Sequence, residues 1–455
     1  MHATNAPHGA LCRTVIGARH RDASPALVSR NIRRVRALVL HLRPLRWFAC
    51  RAAGFVTPAI YWSRLACLQL RDVPVPELPG DDWVRLRTIF GGVCGTDLMS
   101  VFQRGHPASL LRAFGSFPAI VGHENVSIVD HIGPGVRDFA PGERVCVEPS
   151  LSCVPRGIDP VCRPCAAGLF ALCERVRREK LPTGSIVGMN RFTGGSWGSY
   201  FVAHRSQLHR VPPDIDDRTA VLTDPIACSL HAVLRRRPLD DERVLVIGSG
   251  IIALGVVACL RAVGCRAIVT AIVRRPSQAE RMSALGADRV LIIPAGASNG
   301  QRYDVVASDI GGRRVQTLFD NQAFIGGYDV VYDCVGSGSG FKRSGSLTDA
   351  LKFTRARGTV ILVGTSQIGW FDTTPLWFKE LTVLGASGRQ YEDFEGRRMH
   401  TYEAVFELVC SGRLNLSGLL THTFPINRYR DAFRLLARRG AADVVKVAFQ
   451  HEASA

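Results

Sequence analysis

Residues 244–255, VLVIGSGIIALG, constrain the chain most: Gly248, Gly250 and Ala253 stand in G-x-G-x-x-A spacing where an apolar strand meets a helix. Gly248 admits a tight turn and Gly250 lets a pyrophosphate approach the backbone. The helix from Ile251 points free N–H groups and the positive end of its dipole at that anion. A strand–helix turn that needs small residues for packing alone is the competing reading. From Thr219 onward the surroundings favour the nucleotide site, because apolar runs alternate with helical ones: DPIACSLHAVLRR, RAIVTAIV, ERMSALGADRVLII, GYDVVYDCVG and RGTVILVG. That alternation is the pattern of a parallel, doubly wound α/β sheet.

The strand AIVTAIV ends at Val273 and runs into Arg274 and Arg275. A coenzyme with a free ribose 2′-hydroxyl calls for Asp or Glu there. Two guanidiniums and no carboxylate suit a 2′-phosphate instead, which Arg grips with a two-pronged fork. NADP is therefore expected over NAD, against the alternative that both arginines are solvated loop residues.

Upstream, short β-type runs broken by Gly and Pro predict a partly closed β-rich unit from Val35. It carries Cys94 in VCGTDL and His123 with Glu124 in VGHEN; Asp224 follows in LTDPIACSLHAV. Thiolate, imidazole and carboxylate are the donors of a catalytic zinc that keeps one position open. Each piece alone has a plainer reading, a buried small hydrophobe or a loop histidine. Cys153, Cys162, Cys165 and Cys173 form a C-x8-C-x2-C-x7-C array, the donor set of a closed structural zinc site, with an iron–sulfur cluster or unrelated thiols as the alternatives.

At 455 residues the chain is long enough for two domains. Its formal charge of +18 would suggest nucleic acid, but residues 1–71 hold 12 Arg against Asp22 alone, leaving 45 basic and 38 acidic residues, or +7, for the rest. No stripe of Lys and Arg interleaved with aromatics follows, so neither a nucleic-acid nor a membrane partner is expected. Residues 1–34 lack a secretory hydrophobic region and read as a disordered, transit-like or mis-assigned extension. Cysteine usage fits a reducing cytoplasm.

From Val35 to the C-terminus the chain resembles the zinc-dependent medium-chain dehydrogenase/reductase superfamily, in its alcohol, sorbitol and threonine dehydrogenase branch. The resemblance rests on VCGTDL, FPAIVGHE, PGERV, the four-cysteine lobe, GGSWGSYFVAH, DPIACSLHAV, GSGIIALG, LGAD, DVVYDCVG, GTVILVG and KELTVLGASG, in that order. It implies a GroES-like catalytic domain over 35–218 with a structural-zinc lobe near 150–175, a Rossmann coenzyme domain over 219–384, and a return to the catalytic domain over 385–455. It implies two zinc ions, one catalytic and one structural, and hydride exchange between NAD(P) and an alcohol or carbonyl of small size. Cys94, His123 and Asp224 would be ligands, Glu124 an alternate ligand, Asp97 the partner that orients His123, and Thr96 the first proton acceptor. Val335, Gly336 and Gly364 would border the nicotinamide. A homo-oligomer is implied, and the carboxylate at 224 leans toward polyol or amino-alcohol substrates.

Three features depart from the family pattern. Met99 stands where many alcohol dehydrogenases place a proton-relay histidine. Eight residues separate Cys153 from Cys162, where two are usual, so Asp159 rivals Cys153 as a ligand. The segment 291–327 is longer than expected. The competing functions are a zinc-free quinone or enoyl reductase, a non-catalytic nucleotide-binding protein, and RNA binding through the basic N-terminal arm.

Overall fold

The computed structural model describes residues 34–106, 109–110, 115–175, 181–318, 321–336, 345–364, 371–438 and 443–452. The extension expected over 1–34 therefore lies outside the described residues except for Arg34.

The apolar runs beyond Arg243 form one six-stranded sheet with every neighbouring pair parallel. Its order in space is Arg289–Ile292, Ile268–Val273, Arg243–Ile247, Tyr328–Asp333, Thr354–Leu362 and Thr382–Gly385. The strands thus run 3-2-1-4-5-6, and the chain reverses direction across the sheet between Arg243–Ile247 and Tyr328–Asp333. Ligands of such sheets sit in the crevice at the carboxyl ends of the strands where that reversal falls. Strands that are buried on both faces must be apolar throughout, and Val244, Leu245 and Val246 are fully buried.

The second major sheet is largely antiparallel and centres on Trp83–Gly92, which pairs with Glu124–Ile132, Tyr200–His204 and the last strand, Lys446–Gln450. The C-terminus therefore returns to the β-rich unit, with Ala448 opposite Gly92. That pairing sets Lys446 beside the segment that leads into Cys94, where Val93 N–H donates to Val447 at 2.9 Å.

The long segment 291–327 folds as a helix, Asn299–Ile310, and a ribbon of Arg313–Gln316 against Gln322–Ile325. An additional helix, Pro44–Gly54, follows the first strand, Arg34–Leu40; the sequence reading assigned it nothing.

Candidate active site

Gly92 ends its strand two residues before Cys94, which begins the helix Gly95–Val101. The Asp97 carboxylate fixes this start by accepting the Cys94 N–H at 3.0 Å. The second Asp97 oxygen stands 3.2 Å from His123 Nδ1, so one buried carboxylate aligns both groups. His123 and Glu124 sit at the head of the neighbouring strand, held against Cys94 by the Gly92–Glu124 register.

The ligand-type atoms of Cys94, His123 and Glu124 all lie within 4.8 Å of one another. Desolvation alone would lower the His123 pKa, but Asp97 and Cys94 outweigh it and hold the imidazole well above its usual value. For Glu124, burial raises the carboxyl, the Lys446 ammonium paired with it pulls it down, and Asp224 pushes it up. A half-buried thiol and a buried imidazole and carboxylate converging on one point fit a zinc ion. Thr96 Oγ1 stands 3.8 Å from the Cys94 sulfur, beside that point.

Asp224 is not part of this set. At the start of the helix Thr223–Arg235, its carboxylate accepts the Tyr402 hydroxyl at 2.7 Å and lies 3.3 Å from Arg389 Nη1. Arg389 also stands 3.7 Å from Glu148. A guanidinium and a phenol thus hold the carboxylate expected as the third ligand, while Glu124 completes the donor cluster. The sequence reading missed Arg389, Tyr402, Glu148 and Lys446. Only Lys446 left a signal, a single cation inside the apolar strand VVKVAF.

In the cysteine lobe, the sulfurs of Cys153, Cys162, Cys165 and Cys173 also lie within 4.8 Å of one another, and Asp159 is not among them. Cys153 to Cys173 is 3.7 Å and Cys162 to Cys173 is 4.0 Å. A tetrahedron of ~2.3 Å zinc–sulfur bonds has edges of ~3.8 Å, so the four thiols fit the metal. Burial works to raise the Cys162 thiol, but N–H groups of Cys165 and Glu174 and the neighbouring sulfurs bring it down to about 7. Arg156 is fully buried beside the lobe and donates to the carbonyls of Leu151, Leu181, Pro182 and Gly184.

At the reversal point of the parallel sheet, Gly248 takes φ +126°, and a methyl group there would come 3.2 Å from the Val335 side chain. Gly250 caps the helix Ile251–Ala262, whose first-turn N–H groups have no partner within the helix. Ala253 is buried. Asp333 orders the Cys334–Gly336 turn by accepting the N–H groups of Val335 at 3.1 Å and Gly336 at 3.4 Å. Gly364 packs so closely that a methyl group on it would stand 2.2 Å from the Gly336 nitrogen. Gly248 and Gly364 therefore both pack against the Val335–Gly336 turn. Arg274 is exposed just past the second strand, and Arg275 immediately precedes the next helix, Pro276–Ala284. Asp443, a distant residue that the sequence reading did not connect with this region, ion-pairs with Arg281 on that helix.

Two family models match: alcohol dehydrogenase GroES-like domain over residues 80–213 and zinc-binding dehydrogenase over 252–403. An L-threonine 3-dehydrogenase of Anaeromyxobacter sp. (strain Fw109-5) is 31% identical, over 83% of this chain and 94% of its own. The L-idonate 5-dehydrogenase of Vitis vinifera is 27% identical, over 84% and 91%. Among solved structures, one described as a zinc-binding dehydrogenase of Sinorhizobium meliloti 1021 bound to NADP superposes with a TM-score of 0.64 at 22% identity, covering 92% of this chain and 99% of that one. The fold and the two clusters define a two-part dehydrogenase with a β-rich catalytic unit and a Rossmann coenzyme unit. The chain belongs to the zinc-dependent medium-chain dehydrogenase/reductase superfamily. It is an oxidoreductase of the alcohol dehydrogenase type, exchanging hydride between an alcohol and a carbonyl with a nicotinamide coenzyme.

Proposed function

We propose that the chain oxidises a polyol or amino alcohol with NADP, using Cys94, His123 and Glu124 to hold a catalytic zinc and the four lobe cysteines to hold a structural one. The convergence of those three donors beside Thr96 carries the reading. Zinc bound there supplies a Lewis acid that makes the alcohol proton easier to remove. Thr96 accepts that proton through its hydroxyl oxygen and passes its own toward solvent, with no histidine at Met99 to relay it. The Val335–Gly336 turn and Gly364 would border the nicotinamide of a bound coenzyme and orient it for hydride transfer. Asp224 supports the site indirectly, tied to Arg389 and Tyr402.

Arg274 and Arg275 support NADP, since the second strand ends without a carboxylate of its own. Threonine and idonate dehydrogenases among the relatives support a polar alcohol. The outer strand Thr382–Gly385 closes the parallel sheet at an edge, near exposed Trp377, Phe378 and Val383, which suits a homo-oligomer. No helix among the described residues is long and apolar enough to cross a membrane. The described cysteines are all free thiols, which suits the cytoplasm.

Cys94→Ala should abolish turnover and remove one of two zinc ions per chain by atomic absorption, while NADPH still binds. Full residual activity overturns the metal role. Replacing Arg274 and Arg275 with Ala should lower kcat/KM for NADP by about 10–1000-fold, as loss of one or two charge-assisted contacts implies, and leave NAD nearly unchanged. A wild-type preference for NAD ends the NADP assignment.

A further inference from the structure

The helix Pro44–Gly54 carries apolar residues on both sides. Its inner side buries Trp47 and Cys50 in a cluster with Trp62, Leu98, Phe102 and Phe433. Arg51 ties it to the end of the active-site helix, donating to Gln103 O at 2.7 Å and Gly105 O at 3.3 Å. The outer side presents Leu45, Phe48, Ala49, Ala52, Phe55 and Val56, a helical i, i+3, i+4, i+7 series that continues into the residues just past the helix. Leu45 is 87% exposed, Phe48 64%, Phe55 86% and Val56 88%, and nearby Leu65 is 65% exposed. A surface helix ordinarily turns polar residues to water; this one turns none on that stripe.

The charge around the stripe has one sign. Residues 34–71 contain seven Arg and no Asp or Glu. Among the described residues no carboxylate lies within the 4 Å of an ion pair from Arg43, Arg46, Arg64 or Arg71. His41 reports the crowding: slight burial first, then Arg43, Arg71 and Arg46, hold its imidazole below the usual value. The matched domain begins only at residue 80, so this helix lies outside it.

We propose that the exposed face of Pro44–Gly54 is a peripheral docking surface for an anionic lipid bilayer. Phe48, Phe55 and Leu45 enter the headgroup boundary, and Arg43, Arg46 and Arg64 meet the lipid phosphates. A surface helix that exposes aromatic and aliphatic residues with arginines at its flanks lies in that interface plane without spanning it. A second copy of the chain fits less well, because a two-fold contact through this patch sets the arginine cluster against itself with no acid to compensate. This contact is at the surface only, and among the described residues no helix is long and apolar enough to cross the bilayer.

Cosedimentation of the full-length protein with phosphatidylcholine vesicles, with and without phosphatidylglycerol, tests this. Binding should require phosphatidylglycerol and fall steeply with salt. The triple variant Leu45→Ser, Phe48→Ser, Phe55→Ser and the double variant Arg43→Glu, Arg64→Glu should each weaken partitioning by at least about tenfold. Their dehydrogenase activity and thermal midpoint should stay at wild-type values, since every replaced side chain is exposed. Equal partitioning of wild type and triple variant overturns the proposal, as does the absence of binding to anionic vesicles. So does a wild-type oligomer that the triple variant splits while neither protein binds lipid, which would assign the face to self-association.

Discussion

Arg389 is the residue whose loss should expose the energetics of the site most directly. It is buried to 9% exposure and is the counter-ion of Asp224 at 3.3 Å and of Glu148 at 3.7 Å. Arg389→Met keeps most of the volume and leaves two carboxylates without a cation. Breaking a buried ion pair from one side costs about 3–5 kcal/mol. The Tyr402 hydroxyl still donates to Asp224 and the Ser150 N–H still donates to Glu148 at 3.0 Å, so the lower end, about 3 kcal/mol, is expected.

The loss must depend on pH. Burial already raises the Glu148 carboxyl, and Arg389 is the main influence pulling it back. In the variant its folded pKa stands further above the unfolded value. A carboxyl with a raised folded pKa favours the folded state below the unfolded pKa, and that contribution disappears as pH rises through the folded pKa. The deficit against wild type should therefore be largest near about pH 8 and smaller near about pH 5.5, as read from urea midpoints at constant m. A deficit below about 1 kcal/mol, or one equal at both pH values, refutes the view that Arg389 compensates buried charge.

Gly364→Ala places a methyl group against the Gly336 nitrogen, where only 2.2 Å is available. Backbone displacement of this kind costs about 1–3 kcal/mol, so NADPH titrated by fluorescence should bind roughly 5- to 100-fold more weakly; unchanged affinity would detach this turn from the coenzyme. Burial lowers His451 to about 4, although its ring lies 3.1 Å from the Ser196 carbonyl. Its folded pKa lies below the unfolded value, so stability present above about pH 6.5 is lost as pH falls toward 4, by up to about 3 kcal/mol. Denaturation series should show His451→Gln flattening that acid limb, and an unchanged slope would count against it.

What was legible in the sequence was encoded locally. G-x-G-x-x-A acts within one turn, so Gly248, Gly250 and Ala253 could be placed where the strand meets the helix before any contact was known. The four lobe cysteines lie within 21 consecutive residues, and their sulfurs meet in space as their order suggests. Strand and helix alternation likewise announced the parallel sheet, because a strand covered on both faces must be apolar throughout.

The helix Pro44–Gly54 escaped the same reasoning. Its inner and outer residues are equally apolar, so composition gives no sign of which side meets the core. Asp224 shows a different limit. Its sequence context suggested a ligand, but its partners Arg389 and Tyr402 lie 165 and 178 residues away. The Lys446–Glu124 pair likewise depends on the last strand returning beside Trp83–Gly92. Local steric and solvation preferences determined the turns, the strand faces and the cysteine spacing. Which carboxylate joins the metal cluster, and which cation each one faces, was decided only by long-range packing, because burying a charge requires a partner and the fold alone brings that partner near.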